Sequence, residues 1–262
     1  MFSQRVFPVI LAALAALPLL YILAPLLHMM GSLTLPQLMA AIHNPEWLGA
    51  IGTSLLSATI TTVLSAILGL PAAFWLAQKK NWWRRLAESV LVLPLVLPPV
   101  VGGIGQLFLY GPQTWIGGWL GQFQISLVNS IGGVILAQTY ITSPFLILAA
   151  KAGFEEVPQE LKEATYILGG GIWHVFYNVS LPLSRAAIIA GVLLTFARAI
   201  GEFGATMIMA YHPYTVPVDI WVQFTSGGFS DILPLAAVMI LLAVLASLLP
   251  GAFERGGWKR KQ

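Results

Sequence analysis

The chain has 262 residues, of which 58% are hydrophobic and only 9% charged, with a mean hydropathy of +0.83 and a formal net charge of +3. A soluble domain carries roughly 25% charged residues, so this composition points to a lipid bilayer as the solvent. The absence of cysteine excludes disulfides, thiolate zinc sites and cysteine nucleophiles.

About 20 predominantly apolar residues cross a hydrocarbon core about 30 Å thick. Six stretches meet that requirement, at approximately 7–30, 51–77, 86–109, 127–150, 183–209 and 233–253. The expected fold class is therefore an all-α membrane protein, with residues 1–262 forming a single six-helix transmembrane domain. The first apolar run, Phe7 to Leu27, exceeds the 7–15 residues of a signal-peptide core and is read as a retained anchor. In the third span Pro94, Pro98 and Pro99 each remove a helical hydrogen bond, so that span is expected to kink. Pro98 and Pro99 suit either a gate-lining position or a static packing kink.

The charges are distributed unevenly. Arg5, then Lys79, Lys80, Arg84 and Arg85, then Lys151, Lys162 and Arg185, then Arg255, Lys259, Arg260 and Lys261 all fall on one side of the six spans. The three opposite loops, about 31–50, 110–126 and 210–232, contain no Lys or Arg. Both termini are thereby expected in the cytoplasm. Tyr110, Trp115, Trp119, Tyr211, Tyr214 and Trp221 occupy the outer loops, where aromatic rings favour headgroup depth. Asp219 and Asp231 in the last outer loop are expected either to be solvated or to meet basic groups of an external protein.

The longest inner loop, 153–171, carries its own helix signals. Pro158 suits a first helical turn, Glu155, Glu156 and Glu160 sit near that end, and Gly169-Gly170-Gly171 provides a stop. Leu161, Ala164, Thr165 and Leu168 keep i, i+3, i+4, i+7 spacing and form one largely apolar face. Such a helix either rests on its own bundle or fills a groove in another protein.

In the fifth span Arg198 is the single basic residue within an apolar stretch, and Glu202 lies four residues on, on the same face of a continuous helix. Inserting one charge at mid-bilayer costs about 2.5–3.5 kcal/mol, so such residues pair or face a wet cavity. The pair suits a translocation pathway and, equally, a structural lock. Gly201 and Gly204 beside it permit close helix approach.

Glu163-Ala164-Thr165, three residues, Gly169, nine residues, then Val179-Ser180-Leu181-Pro182 resembles the EAA motif of bacterial ABC importer permeases. Thr165 replaces the second Ala of that motif and Val179 its Ile, while the spacing is kept throughout. Phe196-Ala197-Arg198 with Gly201-Glu202-Phe203-Gly204-Ala205-Thr206 resembles the molybdate/tungstate permeases, and less closely the sulfate/thiosulfate permeases. The run from Leu93 to Gly102 is similar to the same group, whereas the outer stretch from Ala210 to Pro217 departs from its common Gly-Asn form. The resemblance implies a type I ABC importer permease of a bacterial or archaeal inner membrane, working as a homodimer. It further implies two cytoplasmic ABC ATPase subunits that hold ATP and Mg, an extracytoplasmic substrate-binding protein, and no nucleic acid. Glu163, Ala164 and Gly169 are then the core of the ATPase contact, with Leu161, Thr165 and Leu168 around them.

The chain offers no catalytic residue, cofactor site or metal site of its own to this reading. The phosphate-cradling pattern G-x-x-x-x-G-K-[ST] occurs nowhere. His28, His43, His174 and His212 lack metal-ligand spacing, and no loop assembles a nucleophile and base, which argues against a membrane enzyme. An ion-coupled secondary transporter would show repeated halves and several midplane charges. Neither is visible.

Overall fold

The computed structural model describes residues 2–78 and 81–257, and helix is the only regular structure among them. Lys79, Lys80, Lys259, Arg260 and Lys261 lie outside the described residues, as do the side chains of Arg5, Asp231 and Arg255. The chain opens with α1 (Phe2–Gly31), the short α2 (Leu35–His43) and α3 (Pro45–Leu76). It continues through α4 (Trp82–Val96), α5 (Pro99–Tyr110), α6 (Trp115–Gly121), α7 (Ile131–Glu155) and α8 (Gln159–Ile167). A stub α9 (Ile172–His174) runs through a π-helical stretch, Val175–Ser180, into α10 (Leu181–Leu183). The last four are α11 (Arg185–Ile200), α12 (Gly204–Met209), α13 (Val216–Ser226) and α14 (Phe229–Gly257).

The helix starts are set by short polar side chains. Asn44 caps α3 by accepting from the Glu46 and Trp47 amides at 2.9 and 3.4 Å, with Pro45 pre-shaped for the first turn. Ser130 caps α7 by accepting from the Gly133 amide at 3.1 Å.

The interior lies where α3, α7 and α11 pack on one another. The buried face of α3 is made of small residues at helical spacing, among them Ser54, Ser57, Ala58, Thr61 and Ser65. Lipid tails are as apolar as leucine, so close backbone packing and hydrogen bonds between helices replace hydrophobic drive here. Thr61 Oγ1 donates to Gln138 Oε1 at 3.2 Å, Thr195 Oγ1 to the Thr142 carbonyl at 3.4 Å, and Ser54 Oγ accepts from the Val216 amide at 2.8 Å. At the opposite end, Phe74, Phe154 and Phe176 interlock, with the Phe74 and Phe154 rings edge to face at 5.6 Å. A salt-bridge triad lies nearby on α4 and α7, where Lys151 Nζ is 3.3 Å from Glu88 and 3.0 Å from Glu155.

Two expected spans are not single helices. The third breaks at Leu97–Pro98, where both residues are extended, and α4 and α5 meet at 111°. Two consecutive prolines deny α5 its first amide donors, so the α4 ladder stops instead of merely kinking. The fifth also departs from a continuous 183–209 helix. It bends by 77° between Ile172–Leu183 and Arg185–Ile200, and is interrupted again between Ile200 and Gly204. Ile10–Gly31, Pro45–Leu76 and Ile131–Glu155 are each long and apolar enough to cross a bilayer alone, and each bent pair adds one further candidate. In α1, none of the apolar window from Ile10 to Gly31 is buried within the protomer.

Candidate functional site

Beyond the C-terminus of α7 the buried Val157 turns the chain, and Pro158 forms the N-cap of α8, one residue ahead of the first-turn position expected. Pro158 has no side-chain oxygen to accept from the first amides, and no side-chain cap is made. Lys162 Nζ instead ties α8 back by donating to the Phe154 carbonyl at 3.2 Å, near the negative end of the α7 dipole. Burial of this ammonium pushes its pKa down. Gln159 Nε2 donates to Glu163 Oε1 at 3.2 Å along the outer side.

The C-terminus of α8 is a Schellman closure. Gly169 adopts φ +85°, its amide donates to the Tyr166 carbonyl at 3.0 Å, and the Gly170 amide donates to the Thr165 carbonyl at 2.9 Å. A left-handed residue is required at that point, which accounts for glycine at the seventh position of the Glu163-Ala164-Thr165 pattern.

α8 rests on the π-helical stretch beneath Phe176, while its apolar side is uncovered. Leu168 is 87% and Ile167 85% exposed, and Leu161, Glu163, Ala164 and Tyr166 are exposed beside them. Of the expected face, only Thr165 turns partly inward, where its hydroxyl donates to the Leu161 carbonyl at 2.9 Å. Beyond the glycines, Ile172, Trp173 and Tyr177 are exposed as well.

The other expected residues meet at a junction of two helix breaks. Arg198 Nη1 lies 2.8 Å from Glu202 Oε2, but the two are not on one continuous helix. Gly201 ends α11, and Glu202 stands in the break before α12. Its second carboxylate oxygen accepts from the Ala205 amide at 3.0 Å, placing negative charge at the start of α12. Glu202 is fully buried, whereas the Arg198 side chain keeps about a third of its surface exposed. Glu202 thus serves as a fixed counter-ion, and Arg198 alone of the pair reaches the surface.

α12 runs hard against α5. A Cβ on Gly204 would stand 3.1 Å from Pro99 Cβ, and one on Gly103 would stand 2.8 Å from the Ala205 carbonyl oxygen. Pro98 caps α5 and Pro99 opens it, so the contact of Pro99 with Gly204 brings the two helix breaks together. Gly201 is looser, with Met239 Cε as the nearest atom to an added Cβ at 3.7 Å.

Two further features have little or no signal in the sequence. Asp219, expected in an outer loop with solvent or partner contacts, is 1% exposed in the first turns of α13. Burial raises its pKa, opposed by a hydrogen bond from Gln223 at 3.4 Å and assisted by the charge of Glu46. A cavity of about 410 Å³ also opens between α5 and α7, with Gln106 in its wall. Its only sequence signal is one uncharged polar residue inside an apolar run.

Residues 69–256 match the family described as binding-protein-dependent transport system inner membrane component. A probable molybdenum ABC transporter permease of Haloferax volcanii is 41% identical over 247 residues, 94% of this chain and 90% of the relative. A molybdate/tungstate transport system permease of Thermococcus kodakarensis is 31% identical over 89% of this chain and 90% of its own length. A sulfate transport system permease of Synechocystis is 33% identical over 82% of this chain and 79% of its own. Among solved structures, a bacterial ABC transporter involved in alginate import superposes with a TM-score of 0.76 over 98% of both chains at 13% identity, a likeness of fold.

Proposed function

Because this chain belongs to the binding-protein-dependent transport system inner membrane components, we propose that it is the permease of an ATP-driven importer for a tetrahedral oxyanion, molybdate or tungstate. The substrate class is supported by the names of the Haloferax and Thermococcus relatives together with the stretch from Phe196 to Thr206. Sulfate is the second reading, favoured by the Synechocystis relative.

The observation that carries the mechanism is the uncovered apolar side of α8, held rigid by Lys162 at one end and the Gly169 closure at the other. A helix so fixed to its own bundle and so bare outward fits a groove in a second protein. In the proposed assembly two copies enclose the pathway, and two cytoplasmic ATPase subunits carrying ATP and Mg each receive one α8. An extracytoplasmic binding protein delivers the anion. The chain crosses the inner membrane six times with both termini in the cytoplasm, as its basic loops require. Glu163, Ala164 and Gly169 make the central ATPase contacts, bordered by Leu161, Thr165 and Leu168. ATPase closure displaces α8, and the Phe74–Phe154–Phe176 cluster passes that displacement to α3 and α7. The junction of Pro98, Pro99, Gly201, Gly204 and the Arg198–Glu202 pair is where the pathway opens and shuts.

The test is co-purification with a nucleotide-binding subunit, then oxyanion-dependent ATP hydrolysis in liposomes. Glu163→Arg is expected to release the ATPase or abolish coupling while the permease still folds, since Glu163 is exposed. Coupled hydrolysis surviving that change refutes the docking role.

A further inference from the structure

The cavity between α5 and α7 is walled by Gly102, Gly105, Gln106, Thr139 and Tyr140, with apolar side chains completing it. Gln106 is only 6% exposed, yet neither its amide nitrogen nor its amide oxygen has a hydrogen-bond partner among the described residues. Thr139 Oγ1, buried across the cavity, also lacks one. A buried amide left unsatisfied costs about 1–3 kcal/mol, so such groups are retained where something else comes to bond them. Among the described residues, no lysine, arginine, aspartate or glutamate lines the cavity.

We propose that this cavity is a transient subsite for the oxyanion in transit, in which the Gln106 amide and the Thr139 hydroxyl, shut off from the open space in this conformation, turn into it and replace part of the anion's hydration shell. The inference rests on the reading of the chain as an oxyanion permease and names the contact that reading lacks. At about 410 Å³ the space exceeds the roughly 30 Å³ share of one water many times over, and holds an anion with part of its water. Uncharged donors suit the task. A pathway site must bind well enough for entry and weakly enough for exit, and neutral donors hold the anion without the added Coulomb attraction of a cationic side chain. The position is also mechanically apt. One side of α5 carries Gly103 against Ala205 beside the Glu202 break, and the other carries Gly102 and Gln106 into the cavity. Any shift of the broken helices against each other therefore reshapes the subsite.

Gly105 supplies a clean probe, because a Cβ added there meets no atom within 4 Å. A larger side chain at that position enters the cavity without disturbing the fold. The complete importer, with its ATPase subunits and binding protein, is reconstituted in proteoliposomes and ATP-dependent accumulation of molybdate and of tungstate is measured. Gln106→Leu is expected to lower the maximal uptake rate about tenfold or more, the worth of one charge-assisted hydrogen bond. Gln106→Asn, which keeps the amide, recovers most of that rate. Gly105→Leu blocks uptake while assembly on size-exclusion chromatography is unchanged. Wild-type rates in both Gln106→Leu and Gly105→Leu overturn the subsite. Dissociation of the two permease copies in Gln106→Leu overturns it too, assigning the amide to a contact between copies. A wild-type importer that accumulates neither anion refutes the substrate reading itself, and this inference with it.

Discussion

The exposed helix α8 and the α5–α12 junction solve opposite problems. The junction is closed on itself: Glu202 is buried, bonded to Arg198 and to the Ala205 amide, and wedged where Gly204 and Gly103 let two backbones touch. α8 satisfies its own backbone at the Gly169 closure and leaves Leu161, Ile167 and Leu168 bare. Internal completeness marks a part whose partner is already in the chain. Completeness of backbone without coverage of side chains marks a part whose partner is elsewhere.

The contrast can be broken most forcefully at Glu202. Glu202→Ala strands the Arg198 guanidinium and uncaps α12, and is expected to destabilise the permease toward the lower end of the ~3–5 kcal/mol that breaking a buried pair costs, since Arg198 is partly solvated. Thermal unfolding in detergent reads this directly; an unchanged melting point contradicts the closed-junction account. Leu168→Asp is the mirror image. At 87% exposure the change leaves permease stability alone, yet it is expected to weaken ATPase binding by about 2 kcal/mol or more, the scale of an interface hot spot. Pull-down affinity set beside the melting curve separates the two effects.

Gly169→Ala sharpens the comparison at smaller scale. A Cβ at φ +85° costs about 1–2 kcal/mol, confined to the α8 stop because no neighbour stands within 4 Å. ATPase affinity is expected to fall while the core melts as before. The smallest effect belongs to Asp219, whose folded pKa lies above its ordinary 3.8. The folded state then binds the proton more tightly than the unfolded chain. Stability therefore rises as pH is lowered from neutral through the raised pKa and levels off below about 3.8. Asp219→Asn is expected to flatten that profile, and a slope that persists in the variant points to a different group.

What could be read from residues alone was what single positions dictate. The glycine seven residues into the Glu163 pattern is a backbone demand, and the Arg198–Glu202 spacing is a pairing demand; both kinds are local. The helix breaks were half legible. Pro98 and Pro99 announced a disturbance, but the 111° turn depends on what α5 packs against. The interruption after Gly201 was hidden inside an apolar run, because the carboxylate that restarts the helix at Ala205 works through a bond no pattern displays. Asp219 and Gln106 were illegible for the same reason. Burial of one polar residue is decided by elements remote in the chain, and neither leaves a periodic trace.

α1, with no buried residue in its apolar window, packs on its own protomer mainly through α14, whereas the hydrogen bonds described above tie other helices together. Those bonds join residues beyond Asn44: Ser54 with Val216, Thr61 with Gln138, Thr195 with Thr142. The first helix thus turns its apolar surface outward, away from its own protomer.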